Sequence, residues 1–308
     1  MTTRFLIFSS LLSLLPFQSL ASSIPYTFTS IDPPGSITSA AFGINNSGQI
    51  VGIYGEAAFG HGFLLSGGIF TNVDFPDSNY TQASGVNDSG QVVGYTAGGP
   101  TTRGFLLSGG VFTIIAPPGS AQSDAHGIND SGQIVGTGYD NALRPRAFVL
   151  SKGVFTTIDP PGSVGSFALG INNSGQVVGS YANGSTEHGF LLSGGVFSNI
   201  DFPGSIGTFP FGLNNSGQVV GTYQASDGSY HGFLLASGVF TTIDFSGQDF
   251  VAQTQLNGIN DNGQIVLGAL SHGFVATPIV PEPSYFLLLG AGLVVIALRS
   301  RRSSNWRL

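Results

Sequence analysis

The side chains in this sequence that could do chemistry come in sets. Histidine stands at His61, His188, His231 and His272, each opening a His-Gly-Phe triplet, and Arg103 and Arg146 hold the corresponding places elsewhere. Aspartate recurs at Asp32, Asp74, Asp159, Asp201 and Asp244, with Ala116 standing once in its place. Imidazole and carboxylate together can ligate a metal or pass a proton as acid and base. One arrangement is a ring of ligands around a central channel. The other is a set of structural hydrogen bonds, each His and Asp holding a neighbouring turn. A catalytic group is normally needed once, and six near-copies point to architecture, so the second arrangement is the expectation.

Other constellations are sparse. The sequence has no Gly-x-Ser-x-Gly elbow, no His-Glu-x-x-His, no P-loop and no dinucleotide fingerprint. Its acids are isolated, with no Asp-x-Asp pair from which a glycosidase dyad could grow by local spacing. Asn129-Asp130-Ser131-Gly132 and Asn260-Asp261-Asn262-Gly263 have a calcium-loop flavour but lack alternating carboxylates and a closing acid. There is no cysteine, which excludes disulfides and thiolate metal sites. No catalytic residue, metal or cofactor is expected. Between residues 22 and 280 only Arg103, Arg144, Arg146 and Lys152 are basic, in a chain of net charge −7. That balance argues against nucleic acid, whose phosphates need neutralising. The four cations concentrate on one or two adjacent repeats, where an anion-docking patch competes with ordinary surface drift; drift is the reading taken. Charged residues are 8% of the chain, against about 25% in a typical domain. The exposed face must therefore be mostly Ser, Thr, Asn, Gln and Gly.

These residues sit on a repeat. Its first half starts at Gly43, Gly85, Gly127, Gly170, Gly212 and Gly258, at spacings of 42, 42, 43, 42 and 46. A period in the low forties marks a repeat fold whose units need their neighbours for a core. Each unit has four short runs rich in β-branched and aromatic residues: one ending in Gly-Ile-Asn, then Gln-Val-Val-Gly-x-Tyr, His-Gly-Phe-Leu-Leu and Val-Phe-Thr-Thr-Ile-Asp. Asn-Asn-Ser-Gly, Ser-Gly-Gly and Pro-Gly supply the turns. No apolar residues fall at helical spacing in the body. Four antiparallel strands per unit of this length is a β-propeller blade. The body opens with a lone fourth run, Tyr26 to Ser36, and closes with the first three runs, Gly258 to Thr277. The two incomplete ends sum to one blade. The prediction is an all-β, six-bladed β-propeller over residues 22–278, closed by pairing the N-terminal strand with the last three strands. Its last unit carries a four-residue insertion around Gln248 to Asn257.

The ends read as address labels. Residues 1–21 have the form of a secretory signal peptide: Arg4, an apolar stretch from Phe5 to Phe17, and Ser19-Leu20-Ala21, with cleavage after Ala21. Residues 279–308 carry Pro281-Glu282-Pro283, fourteen apolar or glycine residues from Tyr285 to Leu298, and then Arg299, Arg301 and Arg302. The apolar run is expected to form a hydrophobic helix, short of the ~20 residues of a free-standing span. The arginines would stay cytoplasmic and leave the propeller outside.

The tail resembles a PEP-CTERM sorting signal, with Pro281, Glu282, Pro283, the apolar helix and the basic end in the right order. The resemblance implies an exosortase, a membrane transpeptidase that processes such tails in bacteria making exopolysaccharide. The body resembles the HAF-repeat family of extracellular repeat proteins, through His-Gly-Phe at His61, His188, His231 and His272, Arg-Gly-Phe at Arg103, and Arg146-Ala147-Phe148. That resemblance brings no activity with it. The expectation is a secreted, cell-surface or matrix-associated protein, transiently or permanently anchored in the membrane by its C-terminus. It would be a non-catalytic binding or structural module, linked to exopolysaccharide. The rivals are a carbohydrate-active hydrolase or lyase with its site in the channel, and a lectin-like binder with one weak site per blade.

Overall fold

The computed structural model describes residues 26–279, apart from 57–58, 98, 100, 185, 245–253 and 270–271. The signal peptide with Ala21, most of the insertion, the expected C-terminal helix and the sorting residues Pro281 to Arg302 lie outside the described residues. Within them the chain is all-β, with 24 strands and no helix.

The fourth repeat shows how the sequence makes its unit. Its strands are Gly165–Ile171, Val177–Asn183, Thr186–Ser193 and Val196–Ile200, each antiparallel to the next. The turns are tight because their residues accept positive φ: Gly175 at 75°, Gly194 at 57° and Gly195 at 81°. Lys152 and Ser237 occupy the Gly194 position in their own units at 50° and 51°, a mild strain for residues that carry a Cβ. Consecutive units meet through short links. In two places a single parallel bridge, Gly60 to Tyr80 and Glu187 to Gly207, merges neighbouring units into an eight-stranded sheet.

The core lies between units, face to face. Val51, Val73, Ala83, Val86, Val92 and Phe105 form one such cluster, drawn from two consecutive repeats. The phenylalanines of three His-Gly-Phe triplets, Phe63, Phe190 and Phe233, and Phe105 of Arg-Gly-Phe are fully buried, each contributing about 1.5–3 kcal/mol of hydrophobic stabilisation. They lie over the glycine of Val-Val-Gly: a Cβ on Gly179 would stand 1.9 Å from the Phe167 oxygen and 3.0 Å from the Phe190 ring.

The two termini of the body share one sheet. Tyr26–Ile31 pairs antiparallel with His272–Pro278, placing Phe28 opposite Ala276 and Ser30 opposite Phe274. Ile31, Ala41 and Phe63 pack with Val266 and Val275 in one cluster.

Candidate functional site

The repeated His and Asp meet each other. Nδ1 of His61, His188 and His272 lies 3.1 Å from Asp74, Asp201 and Asp32, and that of His231 lies 2.7 Å from Asp244. The partner is the aspartate at the end of the adjacent strand, not a neighbouring turn as anticipated. His272 and Asp32 form this pair from opposite ends of the chain. Tyr54, Tyr181 and Tyr223 cover the ring of His61, His188 and His231 with centroids 5.3–5.4 Å apart. Arg146 pairs with Asp159 in the same geometry, and Arg144 with Asp140 at 2.7 Å. Half of the cationic cluster is thereby neutralised, which weakens the anion-patch reading. Arg103, opposite Ala116, bonds the Thr101 hydroxyl instead.

Two circuits of hydrogen bonds run through the Gly-Ile-Asn-Asn turns. The first asparagine of each turn is buried. Its Nδ2 donates to the main-chain oxygen of its counterpart in the next unit: Asn45 to Asn87, Asn87 to Asn129, Asn129 to Asn172, Asn172 to Asn214, Asn214 to Asn260, and Asn260 to Asn45. Its Oδ1 accepts from its own turn, as Asn172 does from Gln176 N–H at 3.0 Å. The next residue forms the second circuit. The N–H of Asn46, Asp88, Asp130, Asn173, Asn215 and Asp261 each donates to the side-chain oxygen of the following member, and Asp261 returns to Asn46. The carboxylates Asp88, Asp130 and Asp261 are thus held as acceptors. Among the described residues no cluster of three or more His, Cys, Asp or Glu could hold a metal ion.

Below these turns the first strands converge. Each carries a β-bulge just before the glycine of Gly-Ile-Asn, as between Ala125 and Gly127. A bulge re-aims its extra residue, and here it aims into an axial cavity. The six bulged residues are Phe42, Ser84, His126, Leu169, Phe211 and Asn257, and with Gln82 and Gln255 they line a space of about 180 Å³. Glycine follows because backbones approach there: a Cβ on Gly258 would stand 2.9 Å from the Phe42 oxygen.

In the second and third repeats titratable groups stand on and beside the strands that line this cavity, His126 alone among them being a lining residue. The Tyr95 hydroxyl holds the Gln82 amide oxygen at 2.9 Å, and Gln82 Nε2 lies 3.4 Å from the Ser84 hydroxyl. Tyr139 donates to Asp124 Oδ2 at 3.1 Å. Asp124 Oδ1, His126 Nε2 and Thr137 Oγ1 are buried without a protein partner. Burial raises the Asp124 carboxyl to about 6, against the lowering effect of the Tyr139 bond. Burial lowers the His126 imidazole to about 4, so it stays neutral and one ring nitrogen can accept. The cavity can hold an uncharged ligand with both donors and acceptors. None of these residues stood out in the sequence, yet a signal was there. The residue before each Gly-Ile-Asn glycine changes chemical class from copy to copy, while the glycine and the asparagine that follow it never change.

The pattern of the PEP-CTERM protein-sorting motif matches residues 280–302. That motif implies a secreted protein, held by its C-terminus at the membrane until an exosortase processes it. No curated protein matches the chain. Among solved structures it is similar to a protein assigned as TolB from Agrobacterium tumefaciens, at 13% identity and a TM-score of 0.56, covering 79% of this chain and 91% of that one. It is also similar to TolB from Acinetobacter baumannii, at 13% identity and a TM-score of 0.52, covering 80% and 65%. A protein assigned as a gluconolactonase matches at 12% identity and a TM-score of 0.52, covering 82% and 92%. At such identities the likeness concerns the fold alone, and the fold is β-propeller-like.

Proposed function

We propose that this PEP-CTERM protein is a six-bladed β-propeller that works outside the cell as a non-catalytic binding module, with its ligand seated in the axial cavity. Export would use the signal peptide ending at Ala21. An exosortase would act near Pro281-Glu282-Pro283 while Arg299, Arg301 and Arg302 remain cytoplasmic, and the partner at the cell surface or in the matrix would be exopolysaccharide. The ring would close where Tyr26–Ile31 joins the last three strands. The His272–Asp32 pair and the Asn260–Asn45 bond support that closure. The repeated triplets are what support membership of the HAF-repeat family.

One observation carries the binding reading. At the bulge, six equivalent positions hold six side chains drawn from aromatic, aliphatic, hydroxyl, amide and imidazole types. Architecture alone favours the same residue each time, as at the buried asparagines. A site for one asymmetric ligand favours different ones. The test is retention of the full-length protein on matrix polysaccharide from the producing bacterium. Retention above a denatured control is expected, and none above that background would overturn the reading.

A second reading, a carbohydrate-active hydrolase or lyase, draws on Asp124 and His126, an acid and an imidazole on one strand. Release of reducing ends or unsaturated products from that polysaccharide, lost in Asp124→Asn, would replace the binding reading with this one.

A further inference from the structure

The axial cavity has two sorts of wall. Gln82, Ser84 and His126 come from consecutive units, and Asn257 and Gln255 from the last one. Leu169 and Phe211 come from the two units between, and Phe42 from the first. Amide side chains offer donors and acceptors together, and so does a hydroxyl. That set suits a ligand whose polar edge is made of hydroxyl groups, each of which also gives and takes. The phenyl and isobutyl groups suit a second surface made of C–H. Gln82 is fixed in advance by Tyr95, so little rotamer freedom is lost when it binds.

Size and charge narrow the choice. A cavity of about 150 Å³ accommodates benzene. About 180 Å³ therefore holds one substituted six-membered ring, not two. No Lys, Arg, Asp or Glu is among the lining residues, and the nearby Asp124 Oδ1 has no cation beside it. A charged ligand would be desolvated there without a partner, which is costly.

We infer that the axial cavity receives one uncharged, polyhydroxylated six-membered ring, a single neutral sugar unit with its hydroxyl edge toward Gln82, Ser84, His126, Gln255 and Asn257 and its C–H face toward Leu169 and Phe211. This rests on the reading of the cavity as the binding site. The unit is either a free monosaccharide or the end of a polysaccharide chain, since the volume matches one ring.

The test is titration calorimetry of the full-length chain in neutral detergent. The probes are neutral hexoses and pentoses, the matching amino sugars and uronic acids, and polysaccharides carrying the preferred sugar at the chain end or only internally. One neutral sugar is expected to saturate a single site and to outbind its charged counterparts at least ~10-fold. Gln255→Ala, at an exposed side chain, should weaken it about 5-fold, the value of one hydrogen bond. Ser84→Phe should abolish binding by filling the space. The bulge accepts phenylalanine at Phe42 and Phe211, so that variant has a precedent for folding, and Gln255→Ala keeps the test open if it does not. His61→Ala, outside the cavity lining, should bind like wild type. Recognition of end-capped but not internal sugar points to a chain end, and recognition of the free sugar alone to a monosaccharide. Preference for a charged sugar, several equivalent sites, or undiminished binding by folded Ser84→Phe overturns the inference. If polysaccharide retention survives in Ser84→Phe, the axial sugar falls while the surface-binder reading stands. If wild type retains nothing, both fall.

Discussion

Asn260 donates its side-chain Nδ2–H to the main-chain oxygen of Asn45, 3.1 Å away and 215 positions earlier in the chain. The same bond links each buried asparagine to the next repeat, at 2.9–3.2 Å. Each such amide also accepts from its own turn, so one side chain ties a hairpin and joins two units. Truncating Asn214 leaves the Ser216 and Gln218 N–H groups without their side-chain acceptor, at about 1–3 kcal/mol each, while the Asn260 oxygen keeps its bond from Gly263 N–H. Asn214→Ala is therefore expected to cost about 2–4 kcal/mol in urea unfolding. Asn215→Ala, in the exposed circuit, should cost under about 1 kcal/mol because water replaces the lost partner. Equal effects would mean that the buried circuit has no special weight.

The terminal strands offer a direct chemical test. Thr27 and Thr277 face each other across the ladder, where Cβ atoms lie about 4.5–5.5 Å apart, near disulfide reach. The chain has no cysteine of its own. Thr27→Cys with Thr277→Cys should therefore form one intramolecular disulfide under mild oxidation. It would close a loop of some 250 residues, worth up to about 5 kcal/mol by the chain-entropy argument. Faster migration on a non-reducing gel and a higher melting temperature are the expected readouts. A monomer that stays reduced would show the two strands apart.

Acid behaviour separates the two buried groups of the third repeat. Asp124 titrates near 6 when folded, above its ordinary value of about 3.9. The folded state then binds the extra proton, so this stabilisation is full below pH 3.9 and is lost as pH rises to 6. His126 titrates near 4 when folded, below its ordinary value of about 6.5. Here the unfolded state binds the extra proton, so stability is present above pH 6.5 and is lost as pH falls to 4. Each shift corresponds to about 3 kcal/mol, and in the wild type they oppose each other between pH 4 and 6. Relative to wild type, Asp124→Asn should gain stability with rising pH across that window, and His126→Gln should lose it. Parallel curves for all three proteins would refute the assignment.

The outer pairs should matter little. His61 and Asp74 are well exposed, and such pairs are worth about 0–1 kcal/mol. His61→Ala is expected to shift stability by less than about 1 kcal/mol in urea unfolding. Ala116→Asp, which gives Arg103 the partner its counterparts have, should add at most about 0.5 kcal/mol. A loss above 2 kcal/mol on removing His61 would show that the pair is more than a surface clasp.

The sequence by itself determined the unit and its strands. The period, the turn residues and the alternation of Val-Val-Gly with His-Gly-Phe are local facts, set by backbone conformation and by the need to bury one face. It also carried the sorting tail, whose three elements are contiguous. What only the tertiary structure decided was which copies of a repeat face one another and what they enclose. Asn172 reads as a turn former because its turn is local; its bond to Asn214 exists only once two units stand side by side. His188 and Asp201 are 13 positions apart, and only the register of two strands makes them partners. The axial cavity was the least legible of all. It depends on a one-residue bulge, and a bulge turns a side chain through half a pleat without leaving any mark on composition or period.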